Sequence, residues 1–251
     1  MINFNKEQRF IVTGASSGIG EGAALLLNEL GATVIAIARN KERLEAMKSK
    51  SKYPENMHIE IKNLVDDIEN LPLYVKELKN KYGKFQGLVH CAGIVDVTPM
   101  QNIEYSYAKR VFDINYFVPM MLIKSFCDRR NNTRNNASIV CISSLATKTC
   151  DKGMLLYSGS KAALTASCRC MAKEIASSGV RINTISPSHI ETNMTKHNLE
   201  HIRVDYLEKY KDIYPLGLGK VDDVANMIIF LLSEKAKWLT RQDYIVDCGV
   251  I

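Results

Sequence analysis

Hydrophobic positions fall in short dense runs separated by stretches of helical spacing, and the two kinds of segment alternate along the whole chain. RFIVTG (9–14) is a β-branched run ended by glycine, and from Ile19 to Leu30 apolar residues recur at helical spacing up to Gly31. ATVIAIA (32–38) predicts a second buried strand, KERLEAMKSK (41–50) a charged helix and MHIEIKN (57–63) a third strand. Pro72 stands where a helix can start and Gly83 where it ends, before the apolar run FQGLVHCAG. Next come a long helix (104–128), a strand ASIVCIS (137–143), a helix (155–178), a strand VRINTIS (180–186), a helix (222–233) and a last strand YIVD (244–247). Apolar strands alternating with helices predict a parallel sheet covered on both faces. The irregular, polar region 188–220 is the expected place for a substrate loop.

Composition narrows this picture. The 251 residues, 46% hydrophobic, suit one domain spanning 1–251. The net charge of +6 is spread along the chain without a basic block, so no nucleic-acid partner is expected. The seven cysteines are odd in number and lack CxxC spacing, which predicts reduced thiols in a cytoplasmic protein. No apolar run reaches the roughly 18 residues of a membrane span, and MINFNKEQ lacks a signal segment.

Candidate chemistry begins at TGASSGIG, with Gly14, Gly18 and Gly20 between the first strand and the first helix. Glycine lets the backbone approach a pyrophosphate, and a helix N-terminus offers unpaired N–H groups; Ser16, Ser17 and Ile19 complete the loop. The spacing is GxxxGxG, which differs from the common GxGxxG. At the end of the second strand Arg39 stands where an acidic residue would favour NAD, and a guanidinium suits a 2′-phosphate, so NADP(H) is favoured over NAD(H).

Two tyrosine–lysine pairs share the i,i+4 spacing that places both side chains on one helix face: YSGSK (Tyr157, Lys161) and YSYAK (Tyr105, Lys109). Spacing alone does not choose between them. The chain as a whole, however, resembles the short-chain dehydrogenase/reductase family in its single-domain form. TGASSGIG looks like the family's cofactor loop, CAG (Cys91, Ala92, Gly93) like its NAG, Asn115 and Ser144 like its active-site asparagine and serine, YSGSK like its tyrosine and lysine, and PSHIET (187–192) like its PGxxxT. Ser144 precedes Tyr157 by the family's usual thirteen residues, whereas thirteen before Tyr105 lies Ala92. Tyr105 and Lys109 therefore read as an ordinary exposed pair.

The resemblance implies a Rossmann-type doubly wound α/β domain of about seven strands. It implies hydride transfer between nicotinamide and a carbonyl or secondary alcohol, with Tyr157 as acid. Lys161 would lower the phenol's pKa, Ser144 would orient the substrate oxygen, and Asn115 would hold a relay water. Asn63 would lie near adenine, and Pro187, Ile190 and Thr192 near the nicotinamide. Homodimers or homotetramers through helices 104–128 and 155–178 are implied too. Three departures bear on positioning: Cys91 replaces the asparagine of NAG, Ser188 the glycine of PG, and Cys248 a glycine of the terminal segment.

HNLEH (His197, His201) matches a zinc-peptidase pattern but has no third ligand in view, so no metal is expected. The reading is thus a NADP(H)-dependent ketone reductase of 3-oxoacyl-reductase type, acting on a small carbonyl or alcohol. An NAD-linked alcohol dehydrogenase of the same family and a non-catalytic dinucleotide sensor are the alternatives. The pocket segments 94–99, 145–156 and 188–214 show no clear anchor for one substrate.

Overall fold

The computed structural model describes residues 1–192 and 213–251. Its strands are β1 (Arg9–Thr13), β2 (Thr33–Ala38), β3 (Met57–Ile61), β4 (Gly87–His90), β5 (Ala137–Ile142), β6 (Val180–Pro187) and β7 (Asp243–Val246). They form one parallel sheet in the order β3-β2-β1-β4-β5-β6-β7. The helices are α1 (Gly18–Glu29), α2 (Lys41–Ser49), α3 (Leu71–Tyr82), α4 (Tyr105–Phe112), α5 (Val118–Phe126), the short α6 (Ala146–Thr149), α7 (Leu155–Ile175) and α8 (Val221–Leu232). Each long helix lies within a few residues of the segment its hydrophobic spacing predicts.

The central strands are apolar throughout because each faces two cores. Phe10 and Val12 of β1 pack with Ala23 and Leu27 of α1, Leu44 of α2 and Ile228 of α8. Ile11, between them in sequence, packs on the opposite face with Val75 of α3, Leu122 of α5 and Leu164 of α7.

One expected element is interrupted. Helix 104–128 is divided by a π turn over Asp113–Phe117, in which Val118 N donates to Asp113 O. The cause is local: Pro119 has no N–H for the carbonyl of Asn115 four residues back, so the ladder widens there.

Candidate active site

β1 lies between β2 and β4, so connections leave its neighbourhood toward opposite faces and open a crevice beyond the strands' C-terminal ends. Gly14, at φ 69°, turns the chain there, and a Cβ on it would stand 2.7 Å from Ala92 N. A Cβ on Gly20 would stand 2.3 Å from Gly14 O, so the loop is as tight as a glycine backbone permits. Ser17, the N-cap of α1, makes no side-chain capping bond, which leaves the first-turn N–H groups to a ligand. A Cβ on Gly18 would lie 3.2 Å from Thr192 Cγ2, which places Thr192 over the loop. These features fit the pyrophosphate of a dinucleotide. Arg39 is exposed at the end of β2. Asn63, two residues beyond β3, donates its amide to Asp66.

The four expected catalytic residues meet at the ends of β4 and β5. Ser144 follows β5, and its side chain hydrogen-bonds Tyr157 in the first turn of α7. One turn on, Lys161 is 4% exposed and donates from Nζ to the carbonyl of Ile142 at 2.8 Å. A Cβ on Gly93 would come within 2.9 Å of Asn115 Oδ1 and 3.4 Å of Lys161 Nζ, which explains the small residue there. Buried Asn115 accepts from Ile94 N at 2.9 Å and donates to Ile94 O at 3.0 Å and Ser160 Oγ at 3.1 Å. It thereby ties the β4 turn, the π turn and α7 together.

The electrostatics depart from expectation in one respect. Burial raises the Tyr157 phenol above its usual pKa, and the Ser144 hydrogen bond is what opposes it. The ammonium expected to lower the phenol is instead turned to Ile142. Burial brings Lys161 itself down to about 8, with the thiols of Cys141, Cys91 and Cys168 as the neighbours that oppose the fall.

Further groups come together only in the folded chain, and spacing along the sequence does not mark them. Thr13 Oγ1 lies 2.9 Å from His90 Nδ1 and accepts from Ala92 N at 3.4 Å. With Asn115 it braces the turn in which Cys91 replaces asparagine. His90 is fully buried, and burial holds it neutral with a pKa of about 3; its Nε2 has no hydrogen-bond partner among the described residues. The one signal for it in the sequence is an imidazole inside an otherwise apolar strand run. Burial pushes the Cys91 thiol up to about 12, so it is no nucleophile.

At the end of β6, Pro187 leads into Ser188, whose N–H donates to Val246 O at 2.9 Å, and Ile190 forms a bridge with Gly219. His197 and His201 lie outside the described residues. A groove of about 320 Å³ between α3 and α5, lined by Lys76, Lys79, Lys124 and Arg130 among others, shares no residue with the catalytic cluster. Convergent side chains rather than cavity size locate the site. No helix among the described residues is long and apolar enough to cross a membrane.

A glycine-lined crevice for a dinucleotide beside a serine, tyrosine and lysine defines an NAD(P)-dependent oxidoreductase. A family profile described as Enoyl-(Acyl carrier protein) reductase matches residues 14–251, and the chain belongs to the short-chain dehydrogenase/reductase family. It is 32% identical over 247 residues to 3-oxoacyl-(acyl-carrier-protein) reductase FabG of Thermotoga maritima, covering 96% of each chain. It is also 32% identical over 244 residues to L-xylulose reductase of Caenorhabditis elegans, covering 97% of this chain and 95% of the relative. The crystal structure of a short-chain glucose/ribitol dehydrogenase from Brucella melitensis superposes with a TM-score of 0.91 at 26% identity, covering 100% of this chain and 99% of the other.

Proposed function

We propose that the protein is a NADP(H)-dependent ketone reductase in which Tyr157 protonates the substrate oxygen. The observation that carries this reading is the meeting of Ser144, Tyr157, Lys161 and Asn115 at the ends of β4 and β5. Reduced nicotinamide, when bound, supplies hydride to a carbonyl carbon. Tyr157 is kept protonated by burial, the state an acid needs, and its bond to Ser144 aims the hydroxyl at an oxygen both can reach. Lys161, brought down to about 8 by burial, can lose and regain a proton more readily than an ordinary lysine. Both N–H groups of the Asn115 amide are engaged and its oxygen already accepts from Ile94, so we assign the relay water to its main-chain carbonyl, which Pro119 leaves without an α-helical donor.

Arg39 supports NADP(H): it is exposed at the end of β2 and has no partner among the described residues, so its guanidinium can serve a 2′-phosphate. For substrate, we favour a 3-oxoacyl thioester by analogy with the bacterial reductase, with a keto sugar as the second candidate. All seven cysteines are free, in keeping with a cytoplasmic protein. Phe117 and Leu155 are 44% and 53% exposed on the helices expected to associate, and we assign them to contacts between copies. Residues 188–220, of which 193–212 lie outside the described residues, are assigned as the substrate loop of a single domain.

Following the absorbance of reduced nicotinamide with acetoacetyl thioester or xylulose tests the reading. NADPH-dependent turnover of the thioester is the expected result. Turnover with xylulose alone would move the substrate to sugars, and no turnover with either dinucleotide across a ketone panel would overturn the reductase. Light scattering tests association, and a monomer at micromolar concentration would remove it.

A further inference from the structure

Ser188 and Cys248, the two residues standing where the family carries glycine, reach the same stretch of chain. Ser188 Oγ lies 2.9 Å from Tyr214 Oη, which lies 3.1 Å from His189 Nδ1. Cys248 Sγ accepts from Leu216 N at 3.1 Å. Tyr214 is 7% exposed, so its hydroxyl finds these partners inside the protein. Main-chain bonds close the same zone: Glu191 N donates to Gly219 O at 2.8 Å and Gly219 N to His189 O at 3.2 Å. Cys248 holds φ 64°, where a side chain is disfavoured, yet the side chain kept there is the one that meets Leu216.

The pinned segment matters because of what lies at its ends. It leaves the sheet at Pro187 and finishes at Thr192 against Gly18 of the cofactor loop. A glycine at 188 would give this connection rotational freedom; a serine bonded at both N–H and Oγ removes it. We propose that Ser188 and Tyr214, backed by Cys248, form a clasp that fixes residues 187–192 as the wall for the nicotinamide end of the dinucleotide. Ser188 and Tyr214 are then positioning residues for hydride transfer. The clasp rests on the dinucleotide reading of the proposed function.

The test compares two ligands by calorimetry: whichever reduced dinucleotide the wild type prefers, and the matching ADP-ribose without nicotinamide. Tyr214→Phe and Ser188→Ala each remove one hydroxyl and keep the packing. In both, affinity for the full dinucleotide should fall about five- to tenfold while affinity for the nicotinamide-free nucleotide stays at the wild-type value. Equal loss for both ligands would show only general loosening and overturn the clasp, as would no loss in either variant. Should Tyr214→Phe fail to fold, Ser188→Ala decides alone. A wild type that binds neither ligand would overturn the dinucleotide reading and the clasp with it, whereas equal wild-type binding of both ligands, or a normal wild-type preference with unchanged variants, overturns the clasp alone.

Discussion

Two tyrosine–lysine pairs with the same spacing stand on two helices, and their surroundings differ in almost every respect. Tyr105 is 83% exposed at the start of α4, and Lys109, with its side chain 61% exposed, pairs with Asp113 at 2.7 Å. Tyr157 is half-buried beside Ser144, and Lys161 is 4% exposed with a backbone carbonyl as its partner. The helix supplies only the geometry common to both. What separates them is where each helix begins: α7 starts after the turn that leaves β5, at the open end of the sheet, so its first turn faces the crevice. Burial is the main cause of the changed proton affinities of Tyr157 and Lys161, whereas exposed Lys109 is shifted upward by its bond to Asp113.

The sharpest way to break this contrast is to delete each phenol. Tyr157→Phe should reduce turnover by about 10²- to 10⁴-fold with cofactor affinity retained, whereas Tyr105→Phe should leave both unchanged. Steady-state rates and dinucleotide titrations on the two variants check this. Near-wild-type rates in Tyr157→Phe would remove it as the acid, whatever the fate of Tyr105.

The lysines separate the pairs by stability. Lys161 is depressed to about 8 from an unfolded value of 10.5. Between those values the unfolded chain binds the proton more tightly, so stability rises with pH through that window, and below pH 8 the full cost of burying the ammonium is present. Relative to Lys161→Met, the wild type should gain about 3 kcal/mol as pH rises from 7 through 10.5, while Lys109→Met shows no comparable change. Denaturant melts across that range measure it, and a pH-independent difference for Lys161→Met would mean that its ammonium is not buried as described.

His90 extends the contrast to acid conditions. Its folded pKa of about 3 lies below the unfolded 6.5, so the stability of the neutral, buried imidazole is complete above pH 6.5 and is lost as pH falls toward 3. By pH 4.5 the wild type should lose about 2–3 kcal/mol more than His90→Asn, which can still bond Thr13 but carries no titrating group. Parallel acid unfolding curves for the two would contradict the burial.

Much of this is legible along the chain itself. Apolar runs without alternation point to the parallel sheet, and the family resemblance, through its usual thirteen-residue interval from serine to tyrosine, favours Tyr157 over Tyr105. The rest depends on contacts between segments distant in sequence. That Lys161 turns to the Ile142 carbonyl, that Asn115 spends its amide on Ile94 and Ser160, and that Thr13 supports His90 are consequences of which strand ends face which helix. The π turn is the exception: Pro119, four residues after Asn115, announces it in one dimension, but the weight of a continuous apolar helix pattern hides it. Ser188 and Cys248 read in sequence as departures from a glycine pattern, and folding gives each a partner in Tyr214 and Leu216.

Arg39 sharpens the comparison from the other side, since exposure does not by itself make a group idle. Like Lys109 it is a cation on the surface, but Lys109 is already paired with Asp113 one turn on, whereas Arg39 has no partner among the described residues and stands where β2 ends beside the cofactor loop. A guanidinium left unpaired at the rim of a crevice can form a bidentate pair with a phosphate, and such charge-assisted bonds contribute about 1.5–3 kcal/mol. Arg39→Ala should therefore weaken NADPH by about ten- to a hundredfold and leave NADH within about twofold, as read by titration of each. Equal weakening of both would mean that Arg39 supports the loop instead of reading the 2′-phosphate, and no weakening of either would place it with Lys109 as a solvated surface charge.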